Sequence, residues 1–450
     1  MTGDLTKGNL TRGLLAFALP MMAGNLLQQL YNVVDTLIVG QVLGGDALAA
    51  VGSAYTLMTF LTSVLLGLCM GSGVAFSIHY GRGDREALRK SAGLAFGLIA
   101  GVTFALTAAV FLGLDPILGL LRVPGEVYGE MREYLFVIFF GIFATFLYNF
   151  FASLLRAVGN SVIPLLFLGG AALLNVGLDL LFVLGFGWGV AGAAGATVIA
   201  QWGSGLGILL YARARAPELW PRLRFRGERR LLREILQLSS LTCVQQSVMN
   251  FGILMVQGLV NSFGPAVMAA FAAGVKIDSF AYMPAQDFGN AFSTFVAQNY
   301  GAGERTRIAK GTARAVQLTF GFCALVSALV FVFARELMLL FVRAEETEIL
   351  ALGVRYLRIE GSLYFLIGFL FLLYGFYRAV RRPGMSVVLT VLSLGTRVLL
   401  AYLLSAVPGI GVDGIWAAVP VGWLLADAVG YLYYRRRRGQ ILAECLPENG

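Results

Sequence analysis

The chain has 450 residues, 58% of them hydrophobic and only 13% charged, with a formal net charge of +9 and a mean hydropathy of +0.78. Soluble domains carry about 25% charged residues, so this composition excludes a water-soluble protein of this length. The four cysteines, Cys69, Cys243, Cys323 and Cys445, are scattered without a CxxC pair, which supports neither a disulfide framework nor a zinc site.

Charge-free runs such as Ala92 to Leu114, Tyr134 to Leu155 and Ala315 to Ala334 are long enough to cross a bilayer, which takes roughly 20 apolar residues at 1.5 Å each. Breaks at charges, Gly and Pro divide the chain into twelve predicted spans, at 14–40, 47–77, 91–113, 134–154, 162–184, 190–212, 238–260, 266–297, 314–334, 359–377, 385–406 and 414–434. Lys7 and Arg12 precede the first run as they would in a signal peptide. That run is too long for a cleaved apolar core of roughly 7–15 residues, so it is expected to be a retained span. The second and eighth spans are long and are expected to tilt or to project beyond the bilayer.

The loops alternate in charge. Of the 34 Lys and Arg, 26 fall on the side of the two termini and 6 on the other, while Lys276 and Arg397 lie inside spans. The excess of positive charge on cytoplasmic loops then places both termini in the cytoplasm, in an inner (cytoplasmic) membrane. It also makes the basic charge a contact for anionic membrane lipids, not for nucleic acid.

The sequence repeats itself. YGRGDR at 80–85 returns as YGAGER at 300–305, GlnGln at 28–29 returns at 245–246, and ArgAlaValGly at 156–159 faces ArgAlaValArg at 378–381. Each half has an even number of spans, so both enter from the same side. The expected fold is an all-α polytopic membrane protein with twelve transmembrane helices in two six-helix lobes, related by a pseudo-two-fold axis along the membrane normal. The N-lobe covers 1–212, a basic cytoplasmic linker 213–233, and the C-lobe 234–450.

Ionisable groups inside spans cost at least ~2.5–3.5 kcal/mol each and need an explanation. Asp35 and Asp179 fall at one depth in the outer half of the first lobe, Asn175 is one helical turn from Asp179 on the same face, and Thr197 enters nearby. These oxygens suit a bare cation or a pair of carboxylates sharing a proton; the same groups also suit a buried cluster that pins helices together. Arg397 and Asp427 are expected to pair as a structural salt bridge, Lys276 and Asp287 lie too far apart along one face to pair, and Asp278 faces elsewhere. The one histidine, His79, is expected at the surface beside a cytoplasmic turn.

The pattern Pro20, Gln28, Tyr31 and Asp35, the LeuGlyGlyAspAlaLeuAlaAlaValGly stretch at 43–52, the two YGxG turns and ArgAlaValGly at 156–159 resemble the multidrug and toxic compound extrusion (MATE) transporters. They are most similar to the DinF-like prokaryotic branch. The resemblance runs from about Leu14 to Arg438. It implies an antiporter that exchanges H+ or Na+ for outgoing organic, often cationic molecules by alternating access, with no cofactor, and acting as a monomer. It carries the cation or protonation role onto Asp35, Asn175, Asp179 and Thr197, with Na+ as the one metal ion the site would take. It also suggests Gln28 and Tyr31, together with Pro20 and Lys276, as groups facing the substrate, and bending of the first span at Pro20 as a route to release. Another branch places acids in the seventh and tenth spans. Here the seventh has none and the tenth has only Glu360, at its expected outer edge.

Three other functions fit these residues less well. A lipid-linked saccharide flippase would need more cationic groups inside the spans than Lys276 and Arg397. An intramembrane enzyme would need a metal cluster or an activated nucleophile, which one histidine does not supply. A channel would need a filter motif. No GxxxxGK[ST] loop occurs, so the chain encodes no ATP-driven engine.

Overall fold

The computed structural model describes residues 3–120, 125–222 and 228–445. Among them there are no strands and sixteen α-helices. The first half holds α1 (Leu10–Val42), α2 (Gly45–Gly81), α3 (Arg85–Leu112), the short α4 (Leu114–Leu120), α5 (Gly125–Ile138), α6 (Ile142–Ala157), α7 (Val162–Asp179) and α8 (Gly189–Arg215). The second half holds α9 (Arg229–Asn261), α10 (Pro265–Gly301), α11 (Arg305–Val332), the short α12 (Ala334–Leu339), α13 (Thr347–Glu360), α14 (Tyr364–Ala379), α15 (Pro383–Ser405) and α16 (Val412–Ala443). Twelve continuous helical stretches are long and apolar enough to cross a membrane.

The repeat governs every element. Helices of the second half start at a nearly constant shift from their counterparts, Leu10 matching Arg229, Gly125 matching Thr347 and Gly189 matching Val412. The two YGxG turns adopt one conformation. Gly83 and Gly303 have φ of +75° and +76°, and each N–H bonds back to the carbonyl of Tyr80 or Tyr300. Only glycine takes that backbone without a steric cost. Arg85 then lies over the Tyr80 ring at 4.4 Å.

Two spans differ from the hydropathy reading. The fourth runs over Gly125–Ala157 and the tenth over Thr347–Ala379, starting well before the expected 134 and 359. Their N-terminal turns carry Glu126, Glu130, Arg132 and Glu133 in one case and Glu348, Arg355 and Arg358 in the other. These charges depress hydropathy without stopping the helix. Both spans break at matched places, with 3-10 turns at Phe139–Gly141 and Gly361–Leu363. Glu360 therefore sits at a break within its span and not at its outer edge.

The chain packs as two compact units, described separately. Unit 1 is Leu19–Cys243 with the residues up to Asp4, and unit 2 is Leu5–Ala18 with the residues from Val244 on. In unit 1 the core is aromatic, with Phe96 meeting Phe150 edge-on at 5.2 Å and Phe150 meeting Phe151 at 5.3 Å. The linker residues up to Arg222 dock on this unit. Trp220 stacks on Phe151 at 5.8 Å, the Arg222 N–H donates to the Arg89 carbonyl at 2.9 Å, and Lys90 pairs with Glu228 at 2.9 Å. Linker residues 223–227, with Arg224 and Arg226, and the loop residue Arg122 lie outside the described residues. His79 is buried, 3% exposed, with Nε2 3.6 Å from Glu234. This corrects its expected surface place, because α9 begins over the end of α2 and covers the ring.

In unit 2, residues 5–8 are held by α10 and α11. The Leu5 N–H donates to Gln298 Oε1, and Arg307 donates to the carbonyls of Leu5, Lys7 and Gly8. The core centres on Trp416, stacked on Phe271 at 5.5 Å and met edge-on by Tyr356 at 4.9 Å. Helices α10 and α14 cross at near contact, since a Cβ on Gly375 would lie 2.5 Å from the Gly289 carbonyl.

Candidate functional site

The site in unit 1 is built on three helices that leave polar groups in an apolar wall. Helix α1 continues without interruption through Pro20 and carries Gln28, Tyr31 and Asp35. Gln28 reaches the Tyr31 hydroxyl, and Tyr31 lies within electrostatic range of Asp35 and Asp179. Helix α7 presents Asn175 and Asp179 one turn apart, 1% and 0% exposed, and widens into a π turn at Leu180–Gly185 immediately after Asp179. Helix α8 supplies Thr197, whose hydroxyl accepts a hydrogen bond from Asn175 Nδ2 at 3.3 Å.

Thus Asp35, Asn175, Asp179 and Thr197 are brought together from separate helices. The carboxyls of Asp35 and Asp179 face each other within hydrogen-bonding range. Asp35 Oδ1, both oxygens of Asp179 and Asn175 Oδ1 are buried and have no donor among the described residues. Acceptors that converge without a donor are costly to bury. One positive charge placed among them, a proton or a small cation, removes that cost.

Sequence reasoning missed two neighbours. Tyr134 on α5 and Tyr55 on α2 lie within electrostatic range of this cluster, Tyr134 of both carboxyls. The hydropathy reading puts Tyr134 at the start of a span, where a tyrosine draws no attention. The repeat was the available clue, because Tyr134 stands as far into α5 as Tyr356 stands into α13.

The remaining candidates fall in unit 2. Lys276 is exposed and lies over the Phe341 ring at 5.9 Å. The expected Arg397–Asp427 salt bridge is absent. Arg397 lies within electrostatic range of Asp278 and Glu360, while both oxygens of Asp427 are buried without a partner among the described residues. The hydropathy reading starts the tenth span too late and so leaves Glu360 at its edge. Once the helix begins at Thr347, Glu360 lies inside the span, within electrostatic range of Arg397. Among the described residues no three His, Cys, Asp or Glu side chains converge as a metal centre would require.

The MatE family model matches the chain twice, at residues 20–181 and 242–403, with both bounds displaced by one common offset. The chain is 31% identical to the probable multidrug resistance protein YpnP of Bacillus subtilis over 97% of both chains. It is 25% identical to the probable multidrug resistance protein NorM of Thermotoga maritima, covering 94% of this chain and 91% of that one. Among solved structures, an outward-facing multidrug resistance MATE family transporter of the MOP superfamily superposes with a TM-score of 0.92 at 24% identity, covering 98% of this chain and 99% of that chain. A MOP superfamily transporter from Pyrococcus furiosus superposes with a TM-score of 0.91 at 23% identity and the same coverage. Those likenesses establish the two-lobe, twelve-helix fold.

Proposed function

This chain belongs to the multidrug and toxic compound extrusion (MATE) family of integral membrane transporters, and from that premise we propose that it exports drug-like, often cationic organic molecules in exchange for H+ or Na+ bound at Asp35 and Asp179. The observation that carries the reading is the convergence of two carboxyls with no donor between them. With one proton present, one carboxyl donates to the other; with Na+, the two carboxyls, Asn175 Oδ1 and Thr197 Oγ1 supply hard oxygens. Either ion neutralises the pair, and its departure leaves repelling charges that favour a different arrangement of the helices carrying them.

Helix α1 suits such a change. It passes from unit 2 to unit 1 between Ala18 and Leu19, beside Pro20, where the helix lacks a backbone hydrogen bond and bends at low cost. Gln28 and Tyr31 on the same helix are the groups assigned to the substrate. The protein works in this reading as a monomer in the inner membrane without a cofactor. Both termini are cytoplasmic and the basic loops lie against anionic lipid.

The test is transport of a fluorescent lipophilic cation in proteoliposomes under an imposed pH or Na+ gradient. One gradient should drive accumulation against the substrate's own gradient, and which one does so identifies the ion. Transport indifferent to both gradients, or dependent on ATP, overturns the reading.

A further inference from the structure

The segment that leads into α1 is held by side chains of α10 and α11. The Leu5 side chain is 4% exposed. Its N–H donates to Gln298 Oε1 at 3.1 Å, and its carbonyl accepts from Asn299 Nδ2 at 3.2 Å. Arg307 on α11 takes three main-chain carbonyls. Its Nη2 donates to Leu5 at 3.0 Å and to Lys7 at 2.9 Å, and its Nη1 donates to Gly8 at 2.9 Å. Its Nε donates to Asn299 Oδ1 at 3.2 Å, which sets the plane of the guanidinium. We propose that Arg307 is a positioning residue for the ion site. Through residues 5–8 it fixes the N-terminal end of α1, so that movement at Asp35 is confined to the part of the helix beyond Pro20. This inference rests on the exchange reading in one respect, that Asp35 answers to the ion.

The joint between the held segment and the helix is short and stiff. Gly8 turns the chain with a φ of +74°. Asn9 follows as the cap, its Oδ1 accepting from the Arg12 N–H at 3.1 Å, and α1 begins at Leu10. A cap of this kind satisfies an otherwise free N–H of the first turn. The start of the helix therefore goes where the segment held by Arg307 puts it.

The helix itself is packed unevenly. Leu14, Phe17, Ala18, Met21 and Gly24 are buried, whereas residues 25–38, which carry Gln28, Tyr31 and Asp35, hold no buried residue. Pro20 stands one turn before that change, where the missing backbone hydrogen bond lets the helix bend at low cost. A helix fixed at one end, packed up to its proline and loose beyond it yields in the loose part. The anchor is also chemically specific. One guanidinium meets three carbonyls and an amide oxygen with a planar fork of donors, which an ammonium does not reproduce. The position matched to Arg307 in the first half is Ala87, so the anchor is no part of the duplicated plan.

The experiment is double electron–electron resonance on the full-length protein in lipid nanodiscs, at low and high pH, with and without Na+. The four native cysteines are replaced, and spin labels are placed at Ala16→Cys with Lys310→Cys, or at Ala16→Cys with Thr36→Cys, all three sites being exposed. The first pair reads the anchoring within unit 2. The second reads bending of α1, its two sites lying about 30 Å apart along a straight helix. In the otherwise unchanged chain the first distance should be narrow and the same in every condition, while the second changes with the ion. In Arg307→Gln the first distribution should broaden and the second should lose its response to the ion. Gradient-driven uptake in proteoliposomes should fall by about ten-fold, with the affinity for the fluorescent cation unchanged. A first distance that stays narrow in Arg307→Gln, or that shifts with the ion when Arg307 is present, overturns the proposal. If Arg307→Gln does not fold, Arg307→Lys, which keeps the charge and gives up the fork, takes its place with the same expected and contrary results. A second distance that is constant while Arg307 is present sinks the bending of α1, and the first distance in Arg307→Gln then still decides whether the anchor holds.

Discussion

Asp35 and Asp179 differ from Asp115, another acid of unit 1, in the charge that each one meets. The two carboxyls face each other, whereas Asp115 is exposed and accepts from Arg132 at 2.8 Å. Replacing either member of the pair by Asn should abolish gradient-driven export while expression, membrane insertion and monodispersity persist, because removing a buried carboxylate also removes its desolvation cost. Counterflow with pH- and Na+-driven uptake in inverted vesicles checks this, with wild-type coupling in either variant as the contrary result. Asp427→Asn should leave coupling near wild type. It lies on α16 in unit 2, and no charged group accounts for its environment. The pair was legible in the sequence because depth along two helices follows from counting residues. Tyr134, Glu360 and Arg397 were not, since each depended on where a helix with a charged outer end begins.

Elements are matched by shape more closely than by chemistry. The YGxG turns share a positive φ at Gly83 and Gly303, so Gly83→Ala and Gly303→Ala should each cost roughly 1–2 kcal/mol, read as a lowered unfolding midpoint in detergent. Equal wild-type midpoints would show that the turn relaxes elsewhere. The α10–α14 crossing should be less forgiving. A side chain at Gly375 meets the Gly289 backbone, which cannot rotate away. Gly375→Val should therefore lose stability by about 1–3 kcal/mol or more, or lower the yield of folded protein, while the exposed Gly395→Ala should not. Both 3-10 breaks recur at the matched position, yet the residues beside them differ. Glu360 precedes the second break and Ile138 the first.

For the whole molecule, the 26-to-6 partition of basic residues predicts the orientation. In a chain with Cys69, Cys243, Cys323 and Cys445 replaced, a cysteine at the exposed Glu346 should react with a membrane-impermeant maleimide added to intact cells. One at the exposed Glu218 should react only after permeabilisation. The reverse labelling would invert the topology and with it the direction of the proposed exchange.

What the sequence determined by itself were properties that accumulate along the chain. Apolar run length sets twelve membrane helices, loop charge sets an expected sidedness, and a repeat spanning half the chain sets two equivalent halves. Each is additive over local stretches, so no three-dimensional information is needed. Only the tertiary structure decided which intramembrane charges meet. Asp35 and Asp179 are far apart in sequence and face each other. Arg397 makes no ion pair with Asp427 and lies within electrostatic range of Asp278 and Glu360. A partner across helices depends on the rotation of each helix and on where it begins and breaks. Those are set by close contacts such as Gly274 under Tyr356 and Gly375 against Gly289, which packing alone resolves.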